Sequence, residues 1–256
     1  MVSWNTRVSD VAQELLKDGA MNRIFPSGIA AAFLEGSGPS IASVITQMKE
    51  VSLSDHVLVF PLFLTASSHL SEDIPTVLGL SQDEVKISEL KAEGIDVLPK
   101  DFIDIEIAPP IAASDFLPKN IARRALKFSE NPRQESIVLA YYGSERYADA
   151  WNGLIQDITN ELTGRGFMHV GSAAMGHVVK GSDEPLLSAI NSALSVSVSV
   201  ILVPVLVSYG YFQPIFIPRA LNKLREKERV RFTDDSILPD EDLVAWIKRV
   251  CVSINE

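Results

Sequence analysis

The fold is decided by the stretch VLVFPLFLTASSHLSEDIP, residues 57–75, in which a run of Val, Leu and Phe ends in two serines, a histidine and an acidic pair. An apolar strand that stops at polar residues and is followed by Asp-Ile-Pro is typical of a parallel strand leading into a helix. Open α/β sheets bind their ligands at the carboxyl ends of such strands. The sequence therefore predicts that His69 lies at the mouth of a ligand-binding cleft.

Apolar, strand-like runs alternate with amphipathic, helix-like segments along the chain. The predicted strands are residues 29–34, 56–64, 103–107, 136–140, 167–170 and 198–207. The predicted helices are residues 11–16, 39–48, 120–128, 151–162, 185–194, 218–227 and 240–250. This alternation is the pattern of βαβ units around parallel sheets, so the predicted fold class is α/β.

The chain also contains an internal repeat. The opening stretch lies over VILVPVLVSYGYFQPIFIP, residues 200–218, so that Val57 matches Val200 and Pro75 matches Pro218 at one constant offset. A repeat this long indicates two similar half-domains rather than a solenoid. We place the halves at residues 1–130 and 131–256, and we expect each to be a doubly wound parallel sheet.

Composition excludes several classes of protein. The 256 residues are 46% hydrophobic and 22% charged, as in a globular protein that forms a core. Acidic residues outnumber basic ones by 33 to 23, which argues against a nucleic-acid partner. The single cysteine permits neither an internal disulfide nor a thiolate metal cluster.

We expect neither a membrane span nor a signal peptide from the sequence as given. The N-terminus MVSWNTRVSDVAQELL has polar and charged residues where a signal peptide needs an apolar core. The longest apolar run, residues 193–207, is shorter than the roughly 18 residues of a membrane helix and is interrupted by serines and by Pro204. We therefore expect a cytoplasmic protein without a membrane partner.

The stretch from Pro61 to Pro75 resembles the class II chelatases, the family that inserts a divalent metal ion into a tetrapyrrole. The hallmark of that family is an apolar strand, Pro-Leu-Phe-Leu, small residues, a histidine and then Asp-Ile-Pro. This chain carries it as residues 61–64, 67–69 and 73–75. Three further stretches are similar and stand in the same order, at residues 31–41, 106–126 and 237–250.

The resemblance implies two flavodoxin-like halves that face each other across a cleft, here fused in one chain. It implies insertion of Co²⁺, Fe²⁺ or Ni²⁺ into sirohydrochlorin or a related tetrapyrrole, as in cobalamin and sirohaem biosynthesis. This is a lyase reaction that needs no nucleotide, and the chain has no GxxxxGK[ST] phosphate loop. The alternative is a catalytically degenerate homologue that binds a metal, a tetrapyrrole or a partner protein without turnover. Either a monomer or a homodimer is compatible with the sequence.

The resemblance also implies the site residues. His69 is the expected metal ligand and proton acceptor, because neutral imidazole is a common metal ligand and titrates near pH 7. Glu35 is the expected accompanying carboxylate, at the end of another strand. Asp73 is expected to support the site by capping the following helix. The residues expected to bind the tetrapyrrole are Ser67, Ser68 and Tyr142.

The chain departs from the family pattern at the first strand, which normally ends in Gly-His-Gly-Ser. In the second half Tyr142 stands in place of that histidine, before Gly143. In the first half the whole segment is absent, and alignment of the halves puts it before Met1. Because the first strand of a doubly wound sheet is an inner one, either the protein begins upstream or this half is rebuilt around the loss. We prefer the upstream start.

The second half also lacks the other histidine, since Phe212 matches His69, and Phe216 matches the supporting Asp73. The metal is therefore expected on the first half. His177, which stands roughly opposite Glu35, is a second candidate ligand.

Two interpretations of the aromatic residues at the strand ends of the second half stay open, packing or a flat wall for a macrocycle. These residues are Tyr142, Tyr209, Tyr211 and Phe212. The pair Arg123-Arg124 is expected on the solvated face of a helix.

Overall fold

The computed structural model describes residues 4–36, 38–51 and 56–254. The chain forms two compact units, of which unit 1 comprises Met1–Ala113 and Glu241–Glu256 and unit 2 comprises Ser114–Asp240. The helices of unit 1 are α1 (Trp4–Leu16), α2 (Gly19–Ile24), α3 (Ile41–Val51), α4 (Ile74–Val77), α5 (Glu84–Ala92) and α10 (Glu241–Ile254). Those of unit 2 are α6 (Leu117–Leu126), α7 (Ala148–Gly164), α8 (Glu184–Leu194) and α9 (Ile217–Leu221). No helix in the described part of the chain combines the length and apolar character needed to cross a bilayer.

Unit 2 is built on a four-stranded parallel sheet with the strand order β4-β3-β5-β6. The strands are β3 (Glu135–Tyr141), β4 (His169–Ala174), β5 (Ser199–Val205) and β6 (Val230–Phe232). The central strands β3 and β5 are buried along nearly their whole length. This burial explains their continuous apolar sequences, because both faces of a parallel sheet are covered by helices.

Helices cover both faces of the unit 2 sheet. Val138 and Ala140 of β3 pack with α8 and α9 in one core cluster. Since side chains alternate between faces along a strand, Ile137 and Leu139 point to the other face and are fully buried there. Helices α6 and α7 pack together, α6 against β5 and α7 against β4. Unit 2 is therefore a doubly wound α/β sheet, as the sequence predicted.

In unit 1, two parallel strands pair in the described residues, β1 (His56–Val59) and β2 (Asp104–Ile107). Residues of α3 and α4 pack with the half-buried Val57 and Val59 in one core cluster. Helices α1, α2 and α10 pack against one another. The ring of Trp246, on α10, meets that of Phe60 edge to face at a centroid distance of 5.9 Å.

The repeat seen in the sequence is a repeat of structure. The amide of Ala108 donates to the carbonyl of Val59 at 2.9 Å, and in unit 2 the amide of Thr233 donates in the same way to Leu202 at 3.0 Å. Leu202 is the residue that the repeat aligns with Val59. The pair β1–β2 is thus the counterpart of β5–β6.

The expected strand at residues 29–34 is wrong. In its place the structure has an isolated bridge between Phe33 and Ser40. In unit 2 the residues that correspond to 29–34 form β4, which lies at the edge of the sheet and pairs with β3 alone. The described residues of unit 1 contain no counterpart of β3, so residues 29–34 have no strand to pair with.

Each unit takes one helix from the other half of the sequence. Helix α6 lies before residue 130 but packs in unit 2, and α10 lies at the end of the chain but packs in unit 1. The division into residues 1–130 and 131–256 stays a prediction about the sequence repeat. In the folded protein, α10 is part of compact unit 1 and α6 is part of compact unit 2.

Candidate functional site

The histidine motif folds as one turn of π-helix, His69–Asp73, followed directly by α4. The amide of Ile74 donates to the carbonyl of His69, five residues earlier. Pro75 favours the wider turn because it has no N–H to bond to Ser71. Unit 2 repeats the feature at Phe212–Phe216, before Pro218. Single π-turns inside α-helices occur often at functional sites.

Within this turn, His69 pairs with Asp73. The Nδ1 atom of His69 lies 2.6 Å from Oδ2 of Asp73. The carboxylate is 11% exposed and the imidazole 47%. A carboxylate accepts a hydrogen bond, so the proton of the neutral ring lies on Nδ1, which leaves the lone pair of Nε2 available. This is how a histidine is prepared to bind a metal ion or to accept a proton.

The expectation that Asp73 caps the following helix is wrong. Asp73 stands at the N-terminus of α4, but its side chain makes no capping hydrogen bond. The carboxylate turns back to His69 instead, because residues four apart lie on the same side of a helical turn. That spacing was visible in the sequence and was the available signal for the pair.

Behind Asp73 lies Lys86, on α5. Its Nζ atom is 3.4 Å from Oδ1 of Asp73, 2.9 Å from Oε2 of Glu89 and 3.8 Å from Oε2 of Glu72. The hydrogen bond with Glu89, followed by the charge of Asp73, raises the pKa of Lys86 above that of an ordinary lysine. Sequence reasoning missed Lys86, because it belongs to another helix and no motif marks it.

Glu35 lies at an exposed bend rather than at the end of a strand. The bend is closed by the amide of Phe33, which donates to the carbonyl of Pro39 at 2.9 Å. Gly36 has a φ of +93°, a conformation that favours glycine. Among the described residues, no hydrogen bond or ion pair joins Glu35 to His69. The structure thus places Glu35 in the same unit as His69, with its side chain open to solvent.

Ser67 begins the histidine turn. Its Oγ accepts a hydrogen bond from the amide of Leu70 at 3.2 Å, and its carbonyl accepts one from Ser71 at 2.9 Å. Ser68 is exposed. Ser67 therefore has a structural task in the turn, whereas Ser68 is exposed to solvent.

In unit 2 the positions that match the histidine site hold an aromatic cluster. The ring of Tyr142, just after β3, meets those of Phe212 and His177 edge to face at centroid distances of 5.8 and 5.9 Å. Phe212 also contacts Tyr211 and Phe216, at 5.7 and 5.5 Å. We call these five residues the aromatic cluster. Tyr211 is 54% exposed, so the cluster presents apolar surface to solvent.

The aromatic cluster is poorly suited to bind a metal. Burial raises the pKa of Tyr142 above the ordinary value of 10.0, so the phenol is neutral at pH 7. Phe212 and Phe216, which match His69 and Asp73, carry no ligand atom. His177 is exposed and is the one member with a ligand nitrogen. Among the residues that the structure describes, no three His, Cys, Asp or Glu side chains come together as a metal-binding group.

The expectation that both arginines of α6 face solvent is wrong for Arg124, which is 4% exposed. Its Nε donates to Oδ1 of Asp235 at 2.8 Å, and Nη1 donates to the carbonyl of Pro204 at 2.9 Å. Arg123 is 48% exposed and pairs with Asp240 at 2.6 Å. Burial lowers the pKa of Arg124 and the ion pair with Asp235 opposes this effect. Arg124 is therefore a structural residue.

The fold and the histidine turn define a class of protein, a doubly wound α/β protein whose candidate site follows a strand of a repeated unit. Two solved structures share this architecture over nearly the whole chain. One is SirB from Bacillus subtilis with Fe³⁺, at 17% identity and a TM-score of 0.65, covering 99% of this chain and 93% of that chain. The other is the sirohydrochlorin chelatase SirB from Bacillus subtilis subspecies spizizenii in complex with cobalt, at 17% identity and a TM-score of 0.58, covering 97% and 89%. At this identity the likeness confirms the fold.

The sequence comparisons find similarity to the same group of proteins. Residues 3–127 match the family model described as CbiX. A sirohydrochlorin cobaltochelatase from Saccharolobus solfataricus is 27% identical over 92 residues, which are 36% of this chain and 64% of that protein. The matched region thus spans less than two thirds of the length of the relative. The predicted resemblance of the chain to the class II chelatases is confirmed.

Proposed function

We propose that this protein inserts a divalent metal ion into sirohydrochlorin or a closely related tetrapyrrole. The observation that carries the proposal is the hydrogen bond of His69 Nδ1 to Asp73, at the position of the family motif. It leaves Nε2 as a ligand atom on an imidazole that is 47% exposed and thus within reach of an incoming ion. The family match supports the same reaction.

The reaction requires two kinds of chemistry. One M²⁺ ion must lose its water ligands and reach the ring, and two pyrrole N–H protons must leave, so that charge balances when the metallated tetrapyrrole forms. A neutral imidazole holds a borderline ion such as Co²⁺ or Ni²⁺ and also accepts a proton near pH 7. His69 is proposed for both tasks in turn, holding the ion through Nε2 and, once the ion has moved to the ring, accepting a proton at the same atom. Glu35, an exposed carboxylate in the same unit, is proposed to balance the charge of the ion and to accept a proton.

The tetrapyrrole is proposed to bind to the aromatic cluster of unit 2. Rings of the cluster stand edge to face with one another, and Tyr211 is 54% exposed. Aromatic surfaces of this kind bind planar π systems. Apart from His177 the cluster contributes no strong metal ligand, so metal and ring are proposed to bind to different residues.

A direct assay tests the proposal. Purified protein is mixed with sirohydrochlorin and Co²⁺, Fe²⁺ or Ni²⁺ under anaerobic conditions, and the tetrapyrrole absorbance is followed against the reaction without protein. We expect acceleration with at least one of the ions, and loss of it in His69→Ala. Metal and tetrapyrrole binding without acceleration by any ion would favour the degenerate homologue.

A further inference from the structure

Lys86 contacts the candidate site without reaching His69. It lies on α5, and its side chain is 23% exposed. Three carboxylates surround its ammonium, those of Glu72, Asp73 and Glu89, at 2.9 to 3.8 Å. A single carboxylate would be enough to balance the positive charge of the lysine. The contact with Asp73 therefore calls for its own explanation.

The two oxygens of Asp73 have different partners. Oδ2 lies 2.6 Å from Nδ1 of His69, and Oδ1 lies 3.4 Å from Nζ of Lys86. A carboxylate held at one oxygen can still rotate about its Cβ–Cγ bond, whereas contacts at both oxygens fix its plane. The plane of the carboxylate sets the direction in which His69 donates its Nδ1 proton.

We propose that Lys86 is a positioning residue for His69, holding the carboxylate of Asp73 in the orientation that keeps the ring proton on Nδ1 and the Nε2 lone pair free for the metal ion. The inference rests on the proposed function, in which His69 binds the ion. It adds a residue from a separate helix to the machinery of that site. Groups that orient a metal-binding histidine commonly change metal affinity by about 10- to 100-fold when removed.

A simple charge effect predicts the opposite result. Lys86 is a cation close to a site that binds another cation, so its removal would leave three carboxylates and attract M²⁺ more strongly. A purely structural role, tethering α5 to the histidine turn, would lower stability and leave the metal affinity of the folded protein unchanged. The three roles are thus separable by measurement.

The variants are Lys86→Met, Lys86→Gln and Lys86→Arg, with Lys91→Met as the control, since it removes the same charge from an exposed position of the same helix. Co²⁺ affinity and the visible spectrum of bound Co²⁺ are measured in each folded variant. The ring tautomer of His69 is read from ¹⁵N shifts without metal, at a mildly alkaline pH where imidazoles are neutral.

We expect Lys86→Met and Lys86→Gln to bind Co²⁺ about tenfold more weakly, the lower end of the effect of such groups, with an altered spectrum and a mixed tautomer. Lys86→Arg and Lys91→Met should remain close to wild type. Unchanged or tighter Co²⁺ binding in Lys86→Met and Lys86→Gln, with the wild-type tautomer, overturns the inference alone. Wild-type Co²⁺ affinity in His69→Ala overturns the proposed ligand and this inference with it.

Discussion

The carboxylate of Asp235 accepts a hydrogen bond at 2.8 Å from Nε of Arg124, 111 residues earlier in the chain. The same guanidinium donates to the carbonyl of Pro204, on β5. A residue of α6 is thus bonded both to the central sheet of unit 2 and to the loop that follows β6. This anchor holds the helix that unit 2 takes from the first half of the sequence.

Arg124→Met should destabilise the protein by about 2–3 kcal/mol, because it leaves Asp235 and a buried carbonyl without their donor. The expected loss of stability is smaller than the loss on breaking a fully buried ion pair, because Asp235 is 37% exposed. Urea unfolding measures it. Lys119→Ala, at an exposed position of the same helix, should change stability by less than about 0.5 kcal/mol. Equal losses in both variants would contradict the anchor.

His69→Ala should abolish tight Co²⁺ binding and change the free energy of unfolding by less than about 1 kcal/mol, since the side chain is 47% exposed. His56→Ala is the matched control. That histidine is 44% exposed, lies in the same unit and also pairs with a carboxylate, with Nδ1 3.0 Å from Asp104. Isothermal titration with Co²⁺ should show loss of Co²⁺ binding in His69→Ala and not in His56→Ala.

Glu35→Gln should slow metal insertion and leave stability unchanged, because the carboxylate is exposed and the amide has nearly the same shape. Initial rates with saturating tetrapyrrole and a varied metal concentration show whether the loss lies in ion binding or in turnover. Glu93→Gln, at another exposed glutamate of the unit, is the control. Wild-type rates in Glu35→Gln would remove Glu35 from the site.

Tyr142→Ala should weaken tetrapyrrole binding by about 3- to 10-fold, the worth of one aromatic contact, without changing Co²⁺ affinity. Tyr142→Phe keeps the ring and should retain most of the binding. Fluorescence quenching of the tetrapyrrole gives the tetrapyrrole affinity of each variant. If the cluster serves packing alone, Tyr142→Ala will lower stability while the folded protein binds the tetrapyrrole as before.

Acid should destabilise unit 2 through Glu135, whose side chain is 4% exposed. Burial opposes ionisation, but hydrogen bonds from Ser129, the amide of Glu130 and Arg231 outweigh it and lower the pKa below 4.5. A carboxyl with a lowered folded pKa contributes stability above its unfolded pKa and loses it as the pH falls through the folded value. Unfolding free energies measured between pH 7 and pH 3 should fall more steeply in wild type than in Glu135→Gln. Parallel curves would contradict this role.

The sequence predicted the parts of the fold that local pattern determines. The apolar runs of β3 and β5 and the repeat at Pro61 and Pro204 led to the α/β class, which is confirmed. Residues 29–34 have the composition of a strand, but a strand also needs a partner. Their conformation depends on which other strands are present, and this information is not local.

The same limit applies to the side chains of the candidate site. The histidine turn carries its signal in the chain itself, since His69 and Asp73 are four residues apart. Lys86 and the buried Arg124 come into place only when separate elements pack. Their roles follow from contacts between helices, which a motif within one segment does not encode.

The exchange of α6 and α10 has a consequence for how such a chain can be divided. A gene cut at the boundary that we predict between the halves would express residues 131–256 with α10 but without α1 and α2, on which it packs, and without the Arg124 anchor. The other fragment would carry α6 without β5 and α7, on which it packs. The sequence half predicted from the repeat and the compact unit therefore comprise different residues in this protein. Recombination that keeps one of them whole divides the other.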